Sequence, residues 1–175
     1  DIKDFVSIIE KQKFNALIYG CGIDNTNENR EILKFLLKKN ISLVLDATVF
    51  SLFQENQDEF LFLLNQRTTS TVMTPHGGEF KRIFNTSNNK INDCLEAAKK
   101  SNSIIVYKGS DTIISSPKGE SYLNAESSSY LATAGSGDVL AGLIGGFLSQ
   151  GIDAINSARL GCYIHSQCGI NLGPG

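Results

Sequence analysis

The sequence predicts an α/β fold with a mainly parallel sheet and helices on both faces. Two observations lead there. Short apolar runs of strand length alternate with longer helix-like runs, and such alternation builds a parallel sheet covered on both sides. In addition, Gly20-Cys21-Gly22, Asp46, Thr74-Pro75-His76 and Lys108-Gly109 each fall just after a strand-like run. Ligands of open parallel sheets bind beyond the carboxyl ends of the strands, so these residues are expected to line one edge.

In chain order, residues 15–19 read as a buried strand, an apolar run of the kind found inside a sheet rather than at its rim. Residues 28–39 carry Ile32, Leu33, Phe35, Leu36 and Leu37 at helical spacing. A second strand is expected over 41–45. Residues 49–64 read as helical with a break near 54–58, and 71–74 as a strand stopped by Pro75. Short helices are expected over 79–84 and 91–100, with a strand at 103–107 between the second of them and Lys108. Residues 111–115 and 120–124 read as a hairpin around Pro117-Lys118-Gly119. Two long helices follow, over about 137–150 and 153–172, giving three α/β/α layers.

With 175 residues, 41% of them hydrophobic, the chain is long enough for one domain with a real core. A net charge of −2 gives no electrostatic case for nucleic acid or a membrane surface. No apolar run is long enough to span a bilayer, and residues 1–4 carry no signal-peptide pattern. Four cysteines, Cys21, Cys94, Cys162 and Cys168, form no C-x-x-C pair, which reads as buried free thiols in a reduced, cytoplasmic protein. Cys162 and Cys168 flank His165, but their spacing suits no common zinc site, so no protein metal site is expected.

Ala132 to Gly142 is the most informative segment. Small residues and glycines run into Asp138, and an apolar helix-like stretch begins there. Glycines let backbone N–H groups approach an anion, and a helix start adds partial positive charge at the same point. A carboxylate beside such a site can take a proton from a hydroxyl near a phosphate. Two readings stay open on this segment: phosphoryl chemistry with Asp138 as base, or a glycine turn whose aspartate caps a helix.

Taken in order, Val44-Leu45-Asp46-Ala47, Thr74-Pro75-His76-Gly77-Gly78-Glu79, Val106-Tyr107-Lys108-Gly109 and the glycine-rich segment resemble the ribokinase-like ADP- or ATP-dependent NAD(P)H-hydrate dehydratases. The resemblance covers nearly the whole chain and is strongest from Leu131 to Gly151. It implies a ribokinase-like domain over 1–175 that corresponds to about the C-terminal two thirds of the family domain. It also implies repair of hydrated nicotinamide cofactors by Mg²⁺-dependent phosphorylation of the ring hydroxyl. Asp138 would be catalytic. Lys108, Gly109, Ser110, Asp111, Thr112, Gly135, Ser136 and Gly137 would bind ADP or ATP. Gly20, Gly22, His76 and Asp138 would bind the hydrated cofactor. By the same resemblance, a homo-oligomer and a fused or separate epimerase partner are expected.

The chain departs from the family pattern at several places. Gly77 stands for a proline, and Asp24 for the last glycine of a Gly-Pro-Gly-Leu-Gly segment, where it is expected to cap the next helix. Thr48 stands for a second acidic residue. Ser127-Ser128-Ser129-Tyr130 replaces a glycine turn before the anion site. Glu79 is expected to cap or orient its loop. Family members carry a further N-terminal section, so this chain is expected to be a piece of a longer protein, with Gly173-Pro174-Gly175 as a natural stop. The competing readings are a vitamin or sugar kinase of the same superfamily, and a nucleotide-binding protein without catalysis.

Overall fold

In the computed structural model, which describes residues 2–126 and 128–173, six strands form one sheet in sequential order. They are β1 (Ala16–Tyr19), β2 (Ser42–Leu45), β3 (Thr71–Met73), β4 (Ile104–Tyr107), β5 (Thr112–Ser115) and β6 (Ser121–Asn124). The first four run parallel, and β5 and β6 turn back as an antiparallel hairpin. The helices are α1 (Ile2–Lys11), α2 (Asn27–Leu37), α3 (Val49–Leu52), α4 (Gln57–Asn65), α5 (Gly77–Ile83), α6 (Lys90–Ser101), α7 (Ser136–Ser149) and α8 (Ala154–Leu172). A 3₁₀ turn at Ser129–Leu131 precedes α7.

Because the parallel strands are added in one direction, right-handed crossovers put every intervening helix on the same face. Helices α1 to α6 accordingly share one core cluster, and α7 and α8 cover the opposite face with a second. The strands supply both by their two-residue period. Leu43 and Leu45 face the first cluster while Val44 faces the second; Ile105 and Tyr107 oppose Ile104 and Val106 in the same way. Strands buried on both faces must be apolar throughout, which is why β2 and β4 read as continuous apolar runs.

Side chains fix the ends of the helices. The Thr26 hydroxyl accepts from Asn29 N at 3.2 Å to start α2, and Asp153 accepts from Asn156 N at 3.1 Å to start α8. A buried arginine joins the C-terminus of α2 to the strands: Arg67 donates to Leu36 O and Leu37 O at the helix end, to Ile41 O just before β2, and to Thr71 Oγ1 in β3. Burial pushes its guanidinium down to about 10.

Several expectations need correction. Thr26, not Asp24, caps α2; the Asp24 backbone carbonyl instead accepts from Asn29 Nδ2 at 2.8 Å. Helix α1 has no counterpart in the sequence reading, although Phe5 and Ile9 lie one turn apart and pack on the first core. Strand β1 pairs only with β2 among the described residues and so forms an edge, with Ile18 37% exposed. Cys168 is exposed and Cys21 half-buried, while Cys94 and Cys162 are buried as expected. Ser127 and the Pro174-Gly175 end lie outside the described residues. Among those residues, no helix is long and apolar enough to cross a membrane.

Candidate functional site

The carboxyl ends of β1, β2 and β4 converge under the N-terminus of α7. Gly20, directly after β1, has φ +121, and a Cβ there would lie 1.8 Å from the Asp46 carbonyl oxygen. Only glycine lets the β1 and β2 ends come this close. Asp46 follows β2 and is 1% exposed. Lys108 follows β4, and its Nζ donates to Asp46 Oδ1 at 2.8 Å. The backbone N–H of Lys108 donates to Pro75 O at 2.9 Å, which ties the β3 and β4 ends together.

Helix α7 begins directly over this ion pair. Gly135 caps it in the left-handed region at φ +83. A Cβ on Gly137 would lie 3.3 Å from Lys108 Nζ and 3.6 Å from Asp46 Oδ2, so the glycine lets the helix start sit on the charged pair. Here the positive end of α7, its open N–H groups and the Lys108 ammonium act on one small volume, a setting that favours a bound anion.

Asp138, in the first turn of α7, is exposed. Ligand atoms of Cys21, Asp46 and Asp138 all lie within 4.8 Å of one another. Burial, the hydrogen bond with Asp138, and the Asp46 and Asp138 charges push the Cys21 thiol up to about 12. At neutral pH Cys21 is therefore a donor to Asp138, not a nucleophile. Two carboxylates at one point fit a hard divalent cation with oxygen ligands; a protonated thiol does not.

Ser136 opens α7, and its Oγ lies 3.0 Å from His165 Nε2 on α8. Burial holds the His165 imidazole below its ordinary value, with the Ser136 backbone pulling the other way.

Other expected site residues sit on neighbouring loops. His76 caps α5: its Nδ1 accepts from Gly78 N at 2.9 Å, and Glu79 Oε2 accepts from His76 N at 2.9 Å. Glu79 therefore orients the loop, as expected from the sequence. The loop 109–112 is held by Lys90, whose Nζ donates to Asp111 Oδ1 at 2.8 Å and lies 4.8 Å from the centre of the Tyr107 ring. This contact lowers the Asp111 carboxyl below its usual range. The Thr112 hydroxyl donates to Gly109 O at 3.2 Å. Gly22, at φ +68, turns the loop after β1, which Thr48 Oγ1 secures by donating to Ile23 O at 2.8 Å. Thr48, which stands where the family has an acid, thus serves this loop.

Sequence reasoning placed Cys21 at this edge without giving it a role, and did not assign Lys90 or His165 to the site. Asp46 was visible as an acid after a strand, but its pairing with Lys108 was not. Nothing in the local sequence marks Lys90, and His165 stood out only as a histidine between two cysteines whose spacing suits no zinc site; helices remote in sequence deliver both.

A family model described as NAD(P)H-hydrate dehydratase matches residues 3–173. The bifunctional NAD(P)H-hydrate repair enzyme Nnr of Thermosynechococcus vestitus is 35% identical over 166 residues, 93% of this chain and 31% of that protein. The chain thus spans about a third of the length of that relative. Among solved structures, a ribokinase-like superfamily protein from Enterococcus faecalis V583 superposes with a TM-score of 0.82 at 28% identity, over 98% of this chain and 60% of that one. The ADP/ATP-dependent NAD(P)H-hydrate dehydratase from Bacillus subtilis, co-crystallised with ATP/Mg²⁺, gives 0.74 at 26% identity, over 90% and 56%.

Proposed function

This chain belongs to the family of the NAD(P)H-hydrate dehydratases, and we propose that it takes part in ADP- or ATP-dependent dehydration of hydrated NADH or NADPH. The observation that carries the reading is the stacking of the α7 N-terminus on the Lys108–Asp46 pair, with Asp138 beside it.

Asp138 takes the proton from the ring hydroxyl of the hydrate as its oxygen attacks the terminal phosphoryl group of the nucleotide. One P–O bond forms and the bond to the departing nucleotide breaks. The N–H groups over Ala134 to Gly137 stabilise the charge on the transferring group. Lys108 adds positive charge from below. The phosphate then leaves with the former hydroxyl oxygen, a ring proton is lost, and the double bond returns. Net, hydrate and ATP give NADH, ADP and phosphate.

When bound, Mg²⁺ would neutralise nucleotide phosphate charge. Asp46 is the carboxylate left to hold it, since Asp138 serves as base. Gly135, Ser136 and Gly137 with the 109–112 loop form the proposed nucleotide side. Gly20, Gly22 and His76 form the proposed cofactor side. A homo-oligomer, a fused or separate epimerase partner and a cytoplasmic setting belong to the same proposal.

The test mixes the protein with hydrated NADH, Mg²⁺ and either nucleotide, and follows the return of NADH absorbance. Recovery that needs nucleotide is expected. Tight nucleotide binding with no recovery from either ADP or ATP would sink the reading.

A further inference from the structure

We propose that His165 is a positioning residue of the nucleotide site, holding the Ser136 hydroxyl so that its proton points at a nucleotide phosphate. The inference deepens the phosphoryl-transfer reading and rests on it for the identity of the anion.

Ser136 is the first residue of α7, at the place where the helix N-terminus favours negative charge. Its Oγ lies 3.0 Å from His165 Nε2. A hydroxyl has one proton and two lone pairs, and a neutral imidazole has one N–H and one bare nitrogen. Two arrangements are therefore possible. If Ser136 gives its proton to Nε2, its lone pairs face the anion and repel it. If Nε2–H donates to Oγ, the serine proton is free for a phosphate oxygen, and the successive donors polarise one another.

The second arrangement suits an anion site: Ser136 opens α7, where a bound phosphate is met by donors and not by lone pairs. Burial holds the imidazole below its ordinary value, so the ring is neutral at neutral pH with one proton, which on this assignment sits on Nε2. His165 itself is set by packing: its neighbours Cys162 and Ser166 are buried, and Ser166 Oγ accepts from Asn124 Nδ2 at 2.8 Å. A mere tie between α7 and α8 would work with either tautomer; the positioning role needs Nε2–H.

The experiment has two arms. The first reads the His165 tautomer of the wild-type protein by long-range ¹H–¹⁵N correlation on ¹⁵N-histidine protein; the chain has 2 histidines, and H165Q identifies the second set of signals. The Nε2–H form is expected at neutral pH, and the Nδ1–H form overturns the proposal whatever the protein's activity. The second arm measures ADP and ATP affinity by calorimetry, and nucleotide KM against kcat, in H165L, H165Q, S136A and S136A/H165L. Loss of the donor in H165L is expected to weaken nucleotide binding about tenfold. H165Q, whose amide can donate from a similar place, should stay within about threefold of wild type. In the S136A background, H165L should add less than about twofold, because the pair acts as one unit. Wild-type affinity in H165L, or an undiminished effect of H165L without the serine hydroxyl, overturns the proposal. Absence of nucleotide-dependent turnover in wild type would instead sink the functional reading, while the tautomer still decides the role of His165.

Discussion

Lys108 Nζ meets Asp46 Oδ1 at 2.8 Å, joining residues 62 apart in sequence beneath the first turn of α7. The lysine is thus both a charge beneath the anion site and the partner that a buried carboxylate needs. A strand-end lysine alone suggests only the first role, and the second changes what its removal should do.

Lys108→Met should cost stability as well as nucleotide affinity. It leaves Asp46 buried and unpaired, and the expected loss is about 2–3 kcal/mol, below the value for a fully buried pair because Lys108 is partly exposed. Adding Asp46→Asn should restore more than about half of that loss, since no buried charge then remains. Urea unfolding of wild type, the single and the double variant checks both. Equal stability of wild type and Lys108→Met would contradict the pairing argument.

Asp138→Asn should keep the fold and nucleotide binding but lower turnover by about a hundredfold or more, as expected for loss of a general base. Asp138 is exposed on the first turn of its helix, so its neutral isostere disturbs little packing. Steady-state rates within about threefold of wild type would remove Asp138 from the base role.

Gly20→Ala should be severely destabilising, by more than about 3 kcal/mol, through overlap with backbone and a strained dihedral. Its Cβ would lie 1.8 Å from the Asp46 carbonyl oxygen at φ +121. Gly22→Ala makes the control: that residue also has positive φ, but a Cβ there meets nothing within 4 Å. Chemical unfolding of both variants should show the smaller loss at Gly22.

The pH dependence of stability should carry a contribution from His165. Burial holds its folded-state value below the ordinary 6.5. As pH falls through 6.5, the unfolded chain takes up the proton first, so stability is lost between that point and the lower folded value; above it, nothing is lost. Unfolding midpoints at pH ~7.5 and ~5 should therefore fall further in wild type than in His165→Gln, which cannot titrate. Parallel decline in the two proteins would contradict the shift.

The order of strands and helices was legible in the sequence because each element carries its own local signal. Apolar runs closed by Gly20, Asp46, Pro75 and Lys108 mark strands, and helical spacing marks α2 and α6. The glycine-rich entry to α7 with Asp138 was legible for the same reason: conformational freedom, helix start and carboxylate are contiguous in the chain. Helix α1 was equally legible, since its apolar residues Phe5 and Ile9 share one face at helical spacing, but the sequence reading began its elements at residue 15 and passed over it. Which residue caps α2 depends on the path of the loop after β1, so Thr26 could not be chosen over Asp24 from composition alone. The tertiary structure decided the rest. It paired Lys108 with Asp46, set Cys21 beside Asp138, brought Lys90 to the 109–112 loop, turned His76 into a helix cap and placed His165 against Ser136. A sequence states which groups are present, but a hydrogen bond or ion pair needs separations of a few ångströms between elements remote along the chain, and packing of the two faces on one sheet sets those separations.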